Sequence, residues 1–144
     1  MRRIASRLAR CALERERERG NEVVACGVLV GSPMPDWSTD EILAVHFRMH
    51  KAEGALFREV LARLAEACGV RLVGVPEKLL TQHAQTALGK PFAGLMKDIA
   101  KLGKSVGPPW GKDQKDAALA ARIALEGAPS PQPSPASGRG GQRI

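Results

Sequence analysis

The chain has 144 residues, 44% of them apolar, and carries 22 lysines and arginines against 15 acids, a net charge of +7. That length holds one domain, and no apolar run nears the roughly 18 residues that mark a membrane span. The first twenty residues are too densely charged for the apolar core of a secretory signal, and Cys11, Cys26 and Cys68 lack the spacing of a disulfide framework or a zinc site, so a soluble, cytoplasmic protein with buried, reduced thiols is expected.

Residues 2–19 read as a helix with Ile4, Leu8, Cys11 and Ala12 on its apolar face, closed by a C-cap at Gly20-Asn21. The run EVVACGVLVG, residues 22–31, is nearly unbroken in apolar character and rich in valine, as in a parallel strand buried on both faces. Two prolines in SPMPDW interrupt regular structure. Ser38-Thr39-Asp40-Glu41 spells a capping box, and the helical pattern that it opens continues to about Cys68, where Gly69 ends it. VRLVGV, residues 70–75, reads as a second strand ending at Pro76. Short helices follow over 77–88 and 91–103, and a last helix runs from after Gly107-Pro108-Pro109 to about Leu125. From Gly127 the composition turns to Pro, Ser and Gly, with too little apolar surface to offset the entropy of ordering. The sequence therefore predicts one domain over 1–126 and a disordered tail over 127–144.

Helices alternating with buried strands predict an α/β domain with a mostly parallel sheet flanked by helices. Two strands leave sheet edges open. A third strand is expected either within a segment that reads as loop or from outside the chain, and the open edge offers a second copy or another partner a place to dock.

The stretch GKDQKDAALAA, residues 111–121, opens the last helix with Asp113 and Asp116 three residues apart. Acids at a helix start complement the macrodipole and the free N–H groups. Carboxylates at i and i+3 also share a helix face and can hold a hard divalent cation such as Mg²⁺ or Mn²⁺. The alanines at 117, 118, 120 and 121 would let the helix lie flat on a sheet, with the acids at a strand end.

Residues 1 to about 125 resemble the second half of the ribonuclease H-like fold, in the branch of the bacterial Holliday-junction resolvases. The resemblance rests on element order and on Asp113-Gln-Lys-Asp116-Ala117-Ala-Leu-Ala-Ala121, which looks like that branch's acid-x-x-Asp-Ala-x-x-x-Ala pattern; residues 69–90 look like its last strand and the helical segment after it. The resemblance implies metal-dependent phosphodiester hydrolysis, with Asp113 and Asp116 as ligands and Glu53 or Asp36 as a third. It also implies opening strands and a first aspartate that this chain lacks, and an acid where Gly31-Ser32 stands. Two of four carboxylates cannot position a pair of ions for phosphoryl transfer. The expectation is therefore a nuclease-like protein that is inactive or incomplete as given; a chain whose start was drawn too late is a rival reading.

His46, His50 and Glu53 lie at i, i+4 and i+7, one stripe of the long helix. Two histidines so spaced can bind a transition metal, although residue 47 is Phe, so the HExxH protease motif is absent. Lys101, Lys104 and Lys112 surround Trp110, whose ring could stack on a base; the structural alternative is an indole packed beneath the proline turn. The functional expectation is nucleic-acid binding or processing, and its rival is a non-catalytic binding or assembly module.

Overall fold

The computed structural model describes residues 2–127. Apart from Gly127, the tail predicted to be disordered lies outside the described residues. Helix α1 (Arg2–Glu18) precedes strand β1 (Ala25–Val30), a short α2 (Thr39–Leu43) and a long α3 (His46–Ala67). Strand β2 (Arg71–Pro76) runs into a single 3-10 turn, Glu77–Leu79. The chain then forms α4 (Leu80–Leu88), α5 (Phe92–Val106) and α6 (Lys112–Glu126).

The two strands pair in parallel, Gly27 opposite Val73 and Leu29 opposite Val75. Alternation sends Gly27, Leu29, Val73 and Val75 to one face. There Leu95 and Ile99 of α5, Leu80 and Ala84 of α4 and Leu119 and Ala120 of α6 complete the main core with Val75. Val28 points to the other face, where α3 crosses the sheet and buries Val60 and Ala65. Helix α1 packs mainly on α3, giving three layers with the strands in the middle.

Burial of the strands is thinner than the apolar run of β1 predicts. Only Val28 in β1 and Val75 in β2 are buried, and Val30 and Leu72 are 45% and 44% exposed. Among the described residues no third strand appears, so each strand has one unpaired edge. Ala9, Leu13, Cys26, Gly27, Leu64 and Ala121 line an apolar groove beside β1.

Three local expectations change. The apolar face of α1 is rotated: Ile4 and Leu8 are 64% and 66% exposed, whereas Ala5, Ala9 and Leu13 are half-buried. The small residues allow close packing on α3, and Arg17 reaches across to the carbonyl of Cys68 at 3.3 Å. Cys11 is consequently exposed and Cys26 and Cys68 half-buried, all three free; burial raises the pKa of the Cys26 thiol. Finally, the helix expected over 38–68 is two helices. The capping box forms as read, Ser38 Oγ accepting from the Glu41 N–H and Glu41 Oε2 from the Ser38 N–H. Val45 then adopts an extended conformation, φ −134° and ψ 119°, and starts α3 anew. Arg48 Nη1 donates to the Glu41 carbonyl at 3.1 Å, supplying a partner at the frayed end of α2.

Candidate functional site

Helix α6 is fixed by two contacts at different heights on the sheet. A Cβ on Gly27 would lie 2.4 Å from the Ala120 carbonyl oxygen, so helix and strand backbones meet where neither has a large side chain. At the start of β2, Arg71 Nη2 donates to the Ala124 carbonyl at 2.6 Å, near the end of α6. Helix α6 therefore runs opposite to the strands. Its first turns stand at their carboxyl ends, the place where open α/β sheets collect ligands.

Gly111 is the N-cap, and its N–H donates to Gln114 Oε1 at 2.9 Å, the reciprocal half of a capping box. Asp113 is exposed in the first turn. Asp116 falls in the second turn, so only one of the two acids meets the free N–H groups directly. Lys112 Nζ donates to Asp116 Oδ2 at 2.5 Å, and the Asp116 side chain is 19% exposed. The bond from Lys112 to Asp116 holds the ammonium above the usual lysine pKa of 10.5, with the charges of Asp116, Glu77 and Asp113 adding to it. Asp116 is thus the carboxylate bonded to Lys112, and Asp113 and Glu77 act on it only through their charge.

Glu77 is the member that the sequence reading did not single out. Its signal was position: it is the first residue after Pro76, which ends β2. Glu77 Oε2 and Arg58 Nη1 come within 3.8 Å and 4.0 Å of the point where a Gly31 side chain would begin. The Gly31 position, which the resemblance implies should hold an acid, is thus approached by an acid from the 3-10 turn after β2 and a cation from α3.

The remaining proposed ligands lie elsewhere. Glu53 stands on α3 with its Oε2 3.7 Å from His50 Nδ1 and lines a hollow with Met34, Ile42, Leu43 and Met49. Asp36 is exposed in the loop after β1. Among the described residues no three His, Cys, Asp or Glu side chains form a group fit to hold a metal ion. Asp113 and Asp116 are therefore not joined by Glu53 or Asp36 in a three-carboxylate set. Glu53 lies on α3 and Asp36 in the loop after β1, and the aspartate pair on α6.

The basic residues also separate. Trp110 is seated on α5: a Cβ on Gly103 would meet its Nε1 within 2.2 Å, and the buried Nε1 has no hydrogen-bond partner. The ring is packed against the core, and the face against Gly103 is closed to a base. Lys104 lies in the last turn of α5, where it complements the helix dipole. Lys101 instead lines an open hollow with Lys90, Arg122 and Ser105. Asp98 sits among them, accepting from Lys90 at 2.7 Å and from Arg122 at 3.2 Å, and these two bonds pull its carboxyl below the usual aspartate value.

No helix among the described residues is long and apolar enough to cross a membrane. Comparison with family models, with curated proteins and with solved structures finds no match.

Proposed function

We propose that this α/β domain binds nucleic acid and is related in type to the ribonuclease H-like nucleases. The observation that carries the reading is the placement of Asp113 and Asp116 at the carboxyl ends of the parallel strands. A divalent cation, Mg²⁺ or Mn²⁺, would enter at Asp113 and Asp116 by displacing the Lys112 ammonium, an exchange that an exposed ion pair resists only weakly. The ion would draw a phosphate towards the strand ends. With only two aspartates at the site, binding is favoured over efficient hydrolysis. Lys90, Lys101 and Arg122 supply cations for the phosphate backbone.

The test is fluorescence anisotropy of labelled linear and branched DNA and of RNA, over a range of salt. Neutralising several phosphates should make affinity fall steeply as salt rises. Alanine at Lys90 and Lys101 should weaken binding more than alanine at two arginines of α1. No binding to any probe at low salt would remove this reading. An assembly role is the second reading, favoured by the unpaired edge of β1 and its apolar groove; a second copy adding a strand there would sediment as a dimer.

A further inference from the structure

We propose that His46 and His50 form a two-imidazole site for a late first-row divalent ion of the zinc, nickel or copper class, with Glu53 as the group that orients it. This site is separate from the aspartates of α6 and does not depend on the nucleic-acid reading. The break at Ala44–Val45 makes His46 the first residue of α3, so both rings project from the first turns of a helix that begins there. Their Nε2 atoms are 2.9 Å apart, with ring centroids 4.3 Å apart and planes at 82°. Two nitrogens each about 2.1 Å from one ion, at right angles about it, stand about 3 Å apart. The spacing in the free protein is thus already that of two neighbouring ligands.

Neutral imidazole carries one proton, so the Nε2–Nε2 contact needs a donor on one ring and a lone pair on the other. For both Nε2 atoms to face an ion, each ring must hold its proton on Nδ1. Glu53 favours that arrangement at His50, because its carboxylate lies 3.7 Å from Nδ1, a distance that a small side-chain rotation closes to a hydrogen bond. A carboxylate behind a ligating histidine fixes the tautomer and raises ligand basicity. At its present distance Glu53 is a positioning residue and not a ligand. Water fills the remaining coordination positions, since the rings are exposed on the helix surface. Imidazole ligands suit zinc, nickel and copper better than magnesium or calcium.

The experiment is isothermal titration of the reduced full-length chain with Ni²⁺ at pH 7.5, with circular dichroism as the fold control. The expected result is one ion per chain, lost in His46→Gln and in His50→Gln and weakened about tenfold in Glu53→Gln. His83→Gln, on α4, should bind as the parent does. Absence of binding to the parent chain overturns the proposal. So does unchanged binding in both His46→Gln and His50→Gln, which would place the ion on the thiols or on His83. Unchanged affinity in Glu53→Gln would overturn the orienting role.

Discussion

Asp116 carries two roles that exclude each other at any one moment. Bonded to Lys112, it closes an i,i+4 ion pair on the flank of α6. Released from Lys112, it offers a carboxylate beside Asp113 for a divalent cation. Because the Lys112 side chain is 75% exposed, the pair should contribute little to stability on its own. Asp116→Asn should therefore melt close to the parent without added cation. In millimolar Mg²⁺ or Mn²⁺ the parent should gain stability by mass action, about 1.4 kcal/mol at ten times Kd, and Asp116→Asn should gain none. Superimposable melting curves for both proteins, with and without cation, would leave the aspartates as helix-start and ion-pair residues only. Trp110 shows the same need for context at single-residue scale. An indole among lysines suggests a stacking platform, yet the empty space over Gly103 draws it into the fold.

Helix α6 depends on glycine at the crossing with β1. A methyl group on Gly27 would run into backbone atoms of Ala120 and Ala121, at 2.4 to 2.9 Å, which cannot swing aside as a side chain can. Gly27→Ala should thus force the helix off the strand and lower stability by about 1–3 kcal/mol, the usual range for overpacking. Chemical denaturation would measure this, and a change below a few tenths of a kcal/mol would contradict the packing described. The same shift would lift the first turn of α6 from the strand ends, so cation binding at Asp116 should weaken along with stability. By contrast, α2 buries nothing, and its well-formed cap supports only five residues. Loss of that cap at Ser38→Ala should be felt as faster amide exchange over residues 39–43, with little change in global unfolding. Unchanged exchange there would show that Arg48 and not the cap holds α2.

Across the whole molecule, Asp98 ties together three segments: Lys90 after α4, its own helix α5, and Arg122 on α6. Its folded pKa lies below the ordinary 3.8, first through the bonds from Lys90 and Arg122. A depressed carboxylate stabilises the folded state above its unfolded value, and that contribution is lost as pH falls through the lower folded value. Glu41, depressed from 4.5 by its bonds at Ser38, acts in the same direction. Local order in α2 should therefore decline below about pH 4.5, and global stability below about 3.8. Asp98→Asn should flatten the lower part of that decline, as followed by urea unfolding at successive pH values. Parallel parent and variant curves down to acid pH would show that Asp98 is not coupled to folding. The same carboxylate offsets charge in the hollow of Lys90, Lys101 and Arg122, so its removal should raise affinity for a polyanion.

Local chemistry was readable wherever neighbouring residues decide the outcome. The stop at Gly20-Asn21, the Ser38–Glu41 capping box, both strands and the start of the last helix all depend on contacts a few positions apart. Parallel pairing followed from strands separated by helices, and the alanines of 117–121 foretold a close crossing with the sheet. Other features depended on long-range packing. The buried stripe of α1 falls on Ala5 and Ala9 where periodicity points to Ile4 and Leu8, because the partner helix decides which face is covered and periodicity alone does not reveal the partner. The break at Ala44–Val45 was hidden by residues that are all compatible with a helix. At the candidate site, Asp113 and Asp116 were legible as a pair on one helix. Glu77 and Arg58 were not, because the fold brings them to Gly31 from the turn after β2 and from α3. For Glu53 the neighbour was legible in part: spacing in sequence puts it on the helix face of His50, whereas the packing of helices on the sheet decides what else that face meets.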